Sequence, residues 1–358
     1  MVRRRAMLIA LVAFNLLVLV GGFILLANRP DTRGGSSVPA TRGETLPQIT
    51  AAEASNAALS VALSEAAYPQ GSVQSVVLAR DDVWVDALSS STLQGELGSP
   101  LLLTSPKSLA PEVRAELERL GARTVFLMGG PQAFAPEIAR ELSGAGYTVQ
   151  RVPGDTAVGN AVAVAIQYLP DAETALLVRG VDGTGADETR GYVDALAAGA
   201  WAAAARMPVL LTDPFQLSAE TRGYLAQSQV KKVIIPGGRI ALGGSVIAEL
   251  ERLGVEVERI GGADRFETAA KIAQLRGSDP ENPSVLLMDG SGQRMWVAGF
   301  AAAVYSMRAA APILLTNDDL VPDSTDQILK TSPARLICGP GVTDDACSTA
   351  KKLAQGSS

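Results

Sequence analysis

"PLLLT" at Pro100–Thr104 returns as "PVLLT" at Pro208–Thr212 and as "PILLT" at Pro312–Thr316, 108 and then 104 positions further on. Three aliphatic residues between a proline and a threonine, with no polar alternation, read as a short strand covered on both faces. Two other signals move in step. "FLMGGP" at Phe126, "IIPGGR" at Ile234 and "LICGPG" at Leu336 keep nearly the same interval, and "VDAL" stands at Val85 and again at Val193. A period of roughly a hundred residues, present three times, implies three tandem copies of one unit.

Within a copy, apolar runs alternate with amphipathic segments. In the first, "SVVLA" (Ser75–Ala79) precedes a small-residue helix beginning near Asp86. "PLLLT" then precedes "APEVRAELERLG", where Pro111 opens a helix and Gly121 closes it. "TVFLMGG" leads into "FAPEIARELSGAG", and "YTVQRV" ends the run. This alternation predicts an α/β fold, one small doubly wound unit with a parallel sheet per copy.

The third copy carries "RIGGADRFETAAKIA" at residues 259–273. Asp264 stands where an N-cap belongs and Glu267, three residues on, completes a capping box, which gives both a structural role. Phe266, Ala269, Ala270 and Ala273 follow on one helical face, small enough to lie close to a sheet. Ser324 and Gln327 have the same capping spacing. The strand "VERIGG" opens the third copy and "TLPQIT" (Leu46–Thr50) the first, which sets the copies at 45–147, 148–255 and 256–358.

The 358 residues are 47% hydrophobic but only 4% aromatic, so several packed domains with aliphatic cores are expected. A formal charge of −6 argues against nucleic acid, whose binders need a basic face. The chain has no histidine. That removes Ser-His-Asp, Cys-His and most zinc chemistry, and we expect no catalytic residues, no metal site and no cofactor.

Ala6–Ala27 is a 22-residue apolar run broken only by Asn15 and preceded by Arg3, Arg4 and Arg5. It is long enough to span a bilayer as one transmembrane signal-anchor helix, with a cleaved signal peptide as the competing reading. Residues 1–5 then form a cytoplasmic basic stub, 28–44 a flexible linker, and the copies lie outside the membrane. There a disulfide can persist. Cys338 and Cys347, nine positions apart across a strand end and the next helix, can bridge or can be two small buried hydrophobes.

The chain resembles the cell wall binding repeat 2 family, modules found in tandem threes in Gram-positive envelope proteins. The residues that carry the resemblance are "RIGGADRFETAAKIA", the thrice-repeated P-[LVI]-L-L-T, the strand-end "GG" and "VDAL", and it extends from about Leu46 to Gln355. The resemblance implies Rossmann-like modules around a pseudo-threefold axis. It also implies non-covalent attachment to an anionic wall polysaccharide or teichoic-type polymer, with the "ILL" segment, including Leu314 and Leu315, in binding. In the family's register the third copy keeps Asp264, Arg265, Thr268 and Ala269. The second has Gly154 and Asp155 with Thr156 in place of the arginine, and the first has Ala51 in place of the aspartate. Asp86 and Asp194 become Ala298 in the third copy.

The candidate contacts follow from charge and position. Arg265 sits one residue past a cap at a positive helix end, where a cation suits an incoming phosphate. Thr268 joins it through the resemblance. Arg80 and Arg179 fall at equivalent strand ends, where the third copy has Asp289, and guanidinium forks fit phosphate or carboxylate. Thr104, Thr212 and Thr316 offer hydroxyls at strand ends. The Gly129 and Gly237 pairs invite a phosphate reading but match no nucleotide motif. "VDGTGADE" (Val181–Glu188) and "NDDL" (Asn317–Leu320) lack calcium-loop spacing and read as solvated loops.

The expectation is a non-catalytic, single-pass envelope protein that binds an anionic wall polymer and links it to the membrane. An exported small-molecule or sugar receptor and a scaffold for another envelope protein are the alternatives.

Overall fold

Each P-[LVI]-L-L-T segment is a strand of a separate parallel sheet. The computed structural model describes residues 55–130, 132–152, 154–180, 192–292, 295–332 and 334–355. The expected strand Leu46–Thr50, the stub, membrane helix and linker of residues 1–44, and "VDGTGADE" lie outside them. Among the described residues no helix is long and apolar enough to cross a membrane.

The first sheet contains β1 (Ser75–Arg80), β2 (Leu101–Thr104), β3 (Thr124–Leu127) and β4 (Thr148–Arg151) in the order β2-β1-β3-β4. The second repeats it with β5 (Thr174–Arg179), β6 (Val209–Thr212), β7 (Lys232–Pro236) and β8 (Glu256–Ile260), in the order β6-β5-β7-β8. The third has β9 (Ser284–Asp289), β10 (Ile313–Thr316) and β11 (Arg335–Cys338), in the order β10-β9-β11. All the pairings in these sheets are parallel.

The strand that opens a copy by sequence completes the preceding sheet. β4 pairs with β3 and β8 with β7, and the chain then crosses to the next module. There α6 (Ala157–Tyr168) packs on β6 and α10 (Arg265–Arg276) on β10, as α1 (Asn56–Ala67) packs on β2.

These three helices start alike. Ser55, Thr156 and Asp264 are their N-caps, each accepting the N–H three residues on. This corrects the sequence register: Ser55, not Ala51, and Thr156, not Asp155, occupy the place of Asp264. Asn56 and Ala157 therefore stand at the Arg265 position, and Asn160 at that of Thr268. The cause is chemical, because Ser, Thr and Asp are interchangeable as caps. The capping box expected at Ser324 is absent. α13 (Asp323–Thr331) starts one residue earlier, after an extended Pro322 with no side-chain cap.

Alternate strand residues serve two cores. Val77, Ala79, Leu101 and Leu103 of the first module, Leu176, Val178, Val209 and Leu211 of the second, and Leu286, Met288, Ile313 and Leu315 of the third share one inner core. The opposite faces pack on each module's own outer helices, and that of the first also takes in Val304 of the third. Leu78 and Leu102 meet α4 (Pro111–Leu120) and α5 (Pro136–Gly144), and Leu177 and Leu210 meet α8 (Ala219–Leu225) and α9 (Gly244–Arg252). Leu287 and Leu314 meet α13 and α14 (Asp344–Ala354). Cys338 at the end of β11 is bonded to Cys347 in α14, with Cα atoms 6.0 Å apart.

The inner core is closed by α2 (Trp84–Ser89), α3 (Ser91–Leu97), α7 (Ala195–Ala205), α11 (Met295–Ala301) and α12 (Ala303–Arg308). Small residues let them touch: a Cβ on Gly95 would lie 2.3 Å from the Ala203 carbonyl oxygen of the next module. Rings from all three modules meet there, Tyr192 lying 5.5 Å from Trp84 and 6.4 Å from Phe300. α2 packs against α6, α7 against α10, and α11 against α1. Each module thus holds the first helix of the next, and the third holds that of the first. The described residues belong to one compact unit.

Candidate functional site: the strand ends and module junctions

In an open parallel sheet, ligands bind outside the carboxyl ends of the strands. Arg80 is paired in register with Thr104 at that edge, Arg179 with Thr212, and Asp289 with Thr316. The sequence therefore placed these candidates on one edge of their sheets.

Their side chains are committed differently. Thr104, Thr212 and Thr316 are fully buried, which corrects the expectation of accessible hydroxyls. Thr104 Oγ1 donates to the Ser108 carbonyl at 3.0 Å and accepts the Ala110 N–H at 2.8 Å. Thr212 does the same with the Gln216 carbonyl and the Ser218 N–H, at 3.1 and 2.8 Å. Thr316 donates to the Met288 carbonyl at 3.4 Å. Leu314 and Leu315 are likewise fully buried, one in the private core of the third module and one in the shared core.

Arg80 grips Asp82 with both prongs at 2.8 Å, and that guanidinium holds the Asp82 carboxyl below the usual range. Arg179 is half-buried at the equivalent place. Asp289 instead folds its own loop, accepting the N–H groups of Ser291 and Gly292 at 2.9 and 3.1 Å. Arg265 donates to the Gly290 carbonyl at 3.1 Å, just beyond the end of β9. Asn56, its counterpart, donates to the Asp81 carbonyl at 2.6 Å, just beyond β1. In the first and third modules this position ties the first helix to the first strand, whereas the second has Ala157 there. Glu267 accepts the Ala263 N–H at 2.6 Å, one residue before the N-cap rather than at the cap itself. "NDDL" is a tight turn closed between Asn317 and Leu320.

Between modules the polar residues converge. Asp86 of "VDAL" is buried beside the side chain of Asn160 from the next copy, which offsets part of the cost of burying its carboxyl. Asp194 lies beside the Thr268 side chain of the third copy, which offsets part of the cost of burying its carboxyl. The Thr268 hydroxyl donates to the Asp264 carbonyl at 2.9 Å and accepts the Gly262 N–H at 3.0 Å. Burial pushes both carboxyls up, and these neighbours oppose it only in part. At the third junction, where α11 meets α1, the same positions hold Ala298 and Leu59, both in the shared core. The strand-end glycines serve these carboxylates. At Gly237, with φ 90°, a Cβ would lie 2.2 Å from Asp194 Oδ2, and at Gly129 it would lie 2.4 Å from the Ala133 Cβ and 2.9 Å from Asp86 Oδ2. Close approach at a left-handed turn, rather than a phosphate, accounts for the pair.

Asn160 is the functional neighbour that sequence reasoning missed. Counting from the N-caps finds it, since it stands four residues past Thr156 as Thr268 does past Asp264.

Three parallel-sheet modules, linked in a ring through polar and apolar junctions, make this a tandem-module protein built on one repeated α/β unit. The chain belongs to the cell wall binding domain 2 (CWB2) family, whose model matches residues 49–139, 151–247 and 259–347. Among its relatives, N-acetylmuramoyl-L-alanine amidase LytC of Bacillus subtilis (strain 168) is 30% identical over 183 residues, 51% of this chain and 34% of that protein. The amidase enhancer of the same organism is 25% identical over 255 residues, 71% and 33% of the two chains. The chain spans about a third of the length of these curated relatives. Among solved structures, Cwp8 from Clostridium difficile superposes with a TM-score of 0.73 at 23% identity, over 85% of this chain and 51% of that one. Cwp6 from the same species gives 0.74 at 19%, over 87% and 48%. At these identities the likeness is one of fold.

Proposed function

We propose that this chain is a non-catalytic envelope protein whose repeats, at 45–147, 148–255 and 256–358, bind an anionic wall polymer non-covalently. Residues 6–27 would anchor it in the membrane with the repeats outside, linking membrane to wall. The observation that carries the reading is that three CWB2 segments occupy one compact unit in which each supports the next. The cyclic packing of α2 on α6, α7 on α10 and α11 on α1 supports a pseudo-threefold axis.

A chain of net charge −6 repels an acidic polymer at long range. Contact must then come from local cations, for which the strand-end Arg80 and Arg179 and the junction residue Arg265 are the candidates. The buried threonines and leucines would shape the loops that present them.

The test is co-sedimentation of residues Gly43–Ser358 with cell walls, intact and stripped of acidic and phosphate-containing polymers, over a range of NaCl concentrations. Binding should vanish on stripping and weaken with salt, as expected for exposed charge pairs. Binding indifferent to stripping would overturn the reading in favour of peptidoglycan or a protein partner.

A further inference from the structure

At the amino-terminal edge of the strands, where the second module meets the third, an open cleft of about 360 Å³ lies between the ends of α7, α10 and α12. Trp201 and Arg276 line it, together with Ser278 and Asp279. Its size suits one or two sugar residues rather than a long groove.

Arg276 is unusual. It is half-buried, and among the described residues it has no carboxylate partner. Three of its donor contacts go to the third module: Nη1 to Ser306 Oγ and, at 3.2 Å, to the Ala311 carbonyl, and Nη2 to the Ser306 carbonyl at 2.7 Å. A guanidinium has five N–H donors, so Nε and one Nη2 proton remain, a pair that a carboxylate or phosphate accepts two-pronged. Desolvation lowers the pKa of this arginine to about 10 with no acid to offset it. A partly desolvated charge without a counter-ion is the kind of group that a ligand completes.

The surroundings fit a sugar. Trp201 is only partly buried, whereas Trp84 and Trp296 are at 6% and 8% exposure, so it is the indole that reaches solvent. Its flat face offers apolar contact with a polar edge. Asp279 uses Oδ1 for the Glu281 N–H at 2.9 Å, which keeps Oδ2 for a hydroxyl.

We propose that this cleft is a saccharide subsite that takes one acidic sugar residue, its ring on Trp201 and its carboxylate or phosphate on Arg276. The site is single. Counting from the N-caps puts Ala67 and Tyr168 at the Arg276 position in the other copies, and counting from "VDAL" puts Leu93 and Tyr305 at that of Trp201. The proposal rests on the wall-polymer reading for the source of the sugar, but not for its chemistry.

The experiment uses the full chain in detergent and follows acrylamide quenching of indole fluorescence during titration with trigalacturonic acid and with uncharged galactotriose. The acidic trisaccharide should shield the quenchable indole at one per chain, about tenfold more tightly than the neutral one, the equivalent of one charge-assisted contact. Arg276→Gln should erase that preference. Trp201→Ala, which leaves the arginine contacts in place, should weaken trigalacturonate binding measured by calorimetry by about tenfold. Absence of shielding, or equal shielding by both sugars, would overturn the proposal. Wall co-sedimentation of the same samples separates the two readings: walls bound equally by wild type and Trp201→Ala, without shielding, sink the cleft alone. Shielding without wall binding sinks the polymer reading alone.

Discussion

Asp86 and Asn160 lie in different copies, yet neither makes chemical sense without the other. A carboxylate at 6% exposure requires a donor, and the amide comes from a helix that belongs to the next module. The same logic explains why the third copy lost its aspartate: Ala298 sits where α11 meets α1, whose equivalent residue is Leu59. The exchange is compensatory. Asn160→Leu alone strands a buried carboxylate and should cost about 2 kcal/mol in urea unfolding. Asp86→Ala together with Asn160→Leu copies the apolar junction and should recover most of that loss, giving a coupling of about 1 kcal/mol or more in the double-mutant cycle. Strict additivity of the two substitutions would show that the residues do not act as a pair.

Single elements were legible wherever their ends carried distinctive chemistry. Pro111 and Gly121 bracket α4 as the sequence predicts, and the aliphatic runs of β2, β6 and β10 announce strands buried on both faces. Equivalence between copies was harder to read, because Ser55, Thr156 and Asp264 cap by the same hydrogen bond with different side chains. The burial of Thr104, Thr212 and Thr316 was also hidden. A threonine at a strand end reads as a surface hydroxyl until the following loop folds back over Thr104 and Thr212, and the neighbouring strand takes the hydroxyl of Thr316. The partner of Asp86 was invisible for another reason, since a side chain from the next copy leaves no local pattern. At this scale the disulfide makes a separate prediction. It clips α14 to the end of β11 across nine positions, and closing a loop of that size contributes about 2.5 kcal/mol in the chain-entropy account. Cys338→Ala with Cys347→Ala should lower the melting temperature by several degrees, and reductant should do the same to the wild type but not to the variant. An unchanged wild-type transition under reductant would contradict that contribution.

For the molecule as a whole, stability is concentrated where modules meet. The inner faces of all three sheets share one core, and two of the three junctions hold an acid, Asp86 buried and Asp194 half-buried, whose ionisation is disfavoured. Because the folded-state pKa of Asp86 and Asp194 lies above the unfolded value, their contribution is lost as pH rises through the folded value. It is fully present below the unfolded value, near about 4. Asp82 and Glu267 are shifted the other way and oppose this trend on acidification, so the informative quantity is a difference between variants. Asp86→Asn with Asp194→Asn should unfold at higher denaturant than wild type at neutral pH, with the gap closing as the pH falls toward the ordinary carboxylate range. A gap that widens on acidification would reverse the sign and remove the junction acids from the account.

The packing of α11 against α1 sets an order of events during synthesis. α1 leaves the ribosome more than two hundred residues ahead of α11, the surface that covers its inner side. At roughly 5–20 residues per second, that interval lasts on the order of tens of seconds. Through it the earliest-made portion must wait with an oily flank uncovered, a natural foothold for a chaperone, until the final third arrives to close the circle.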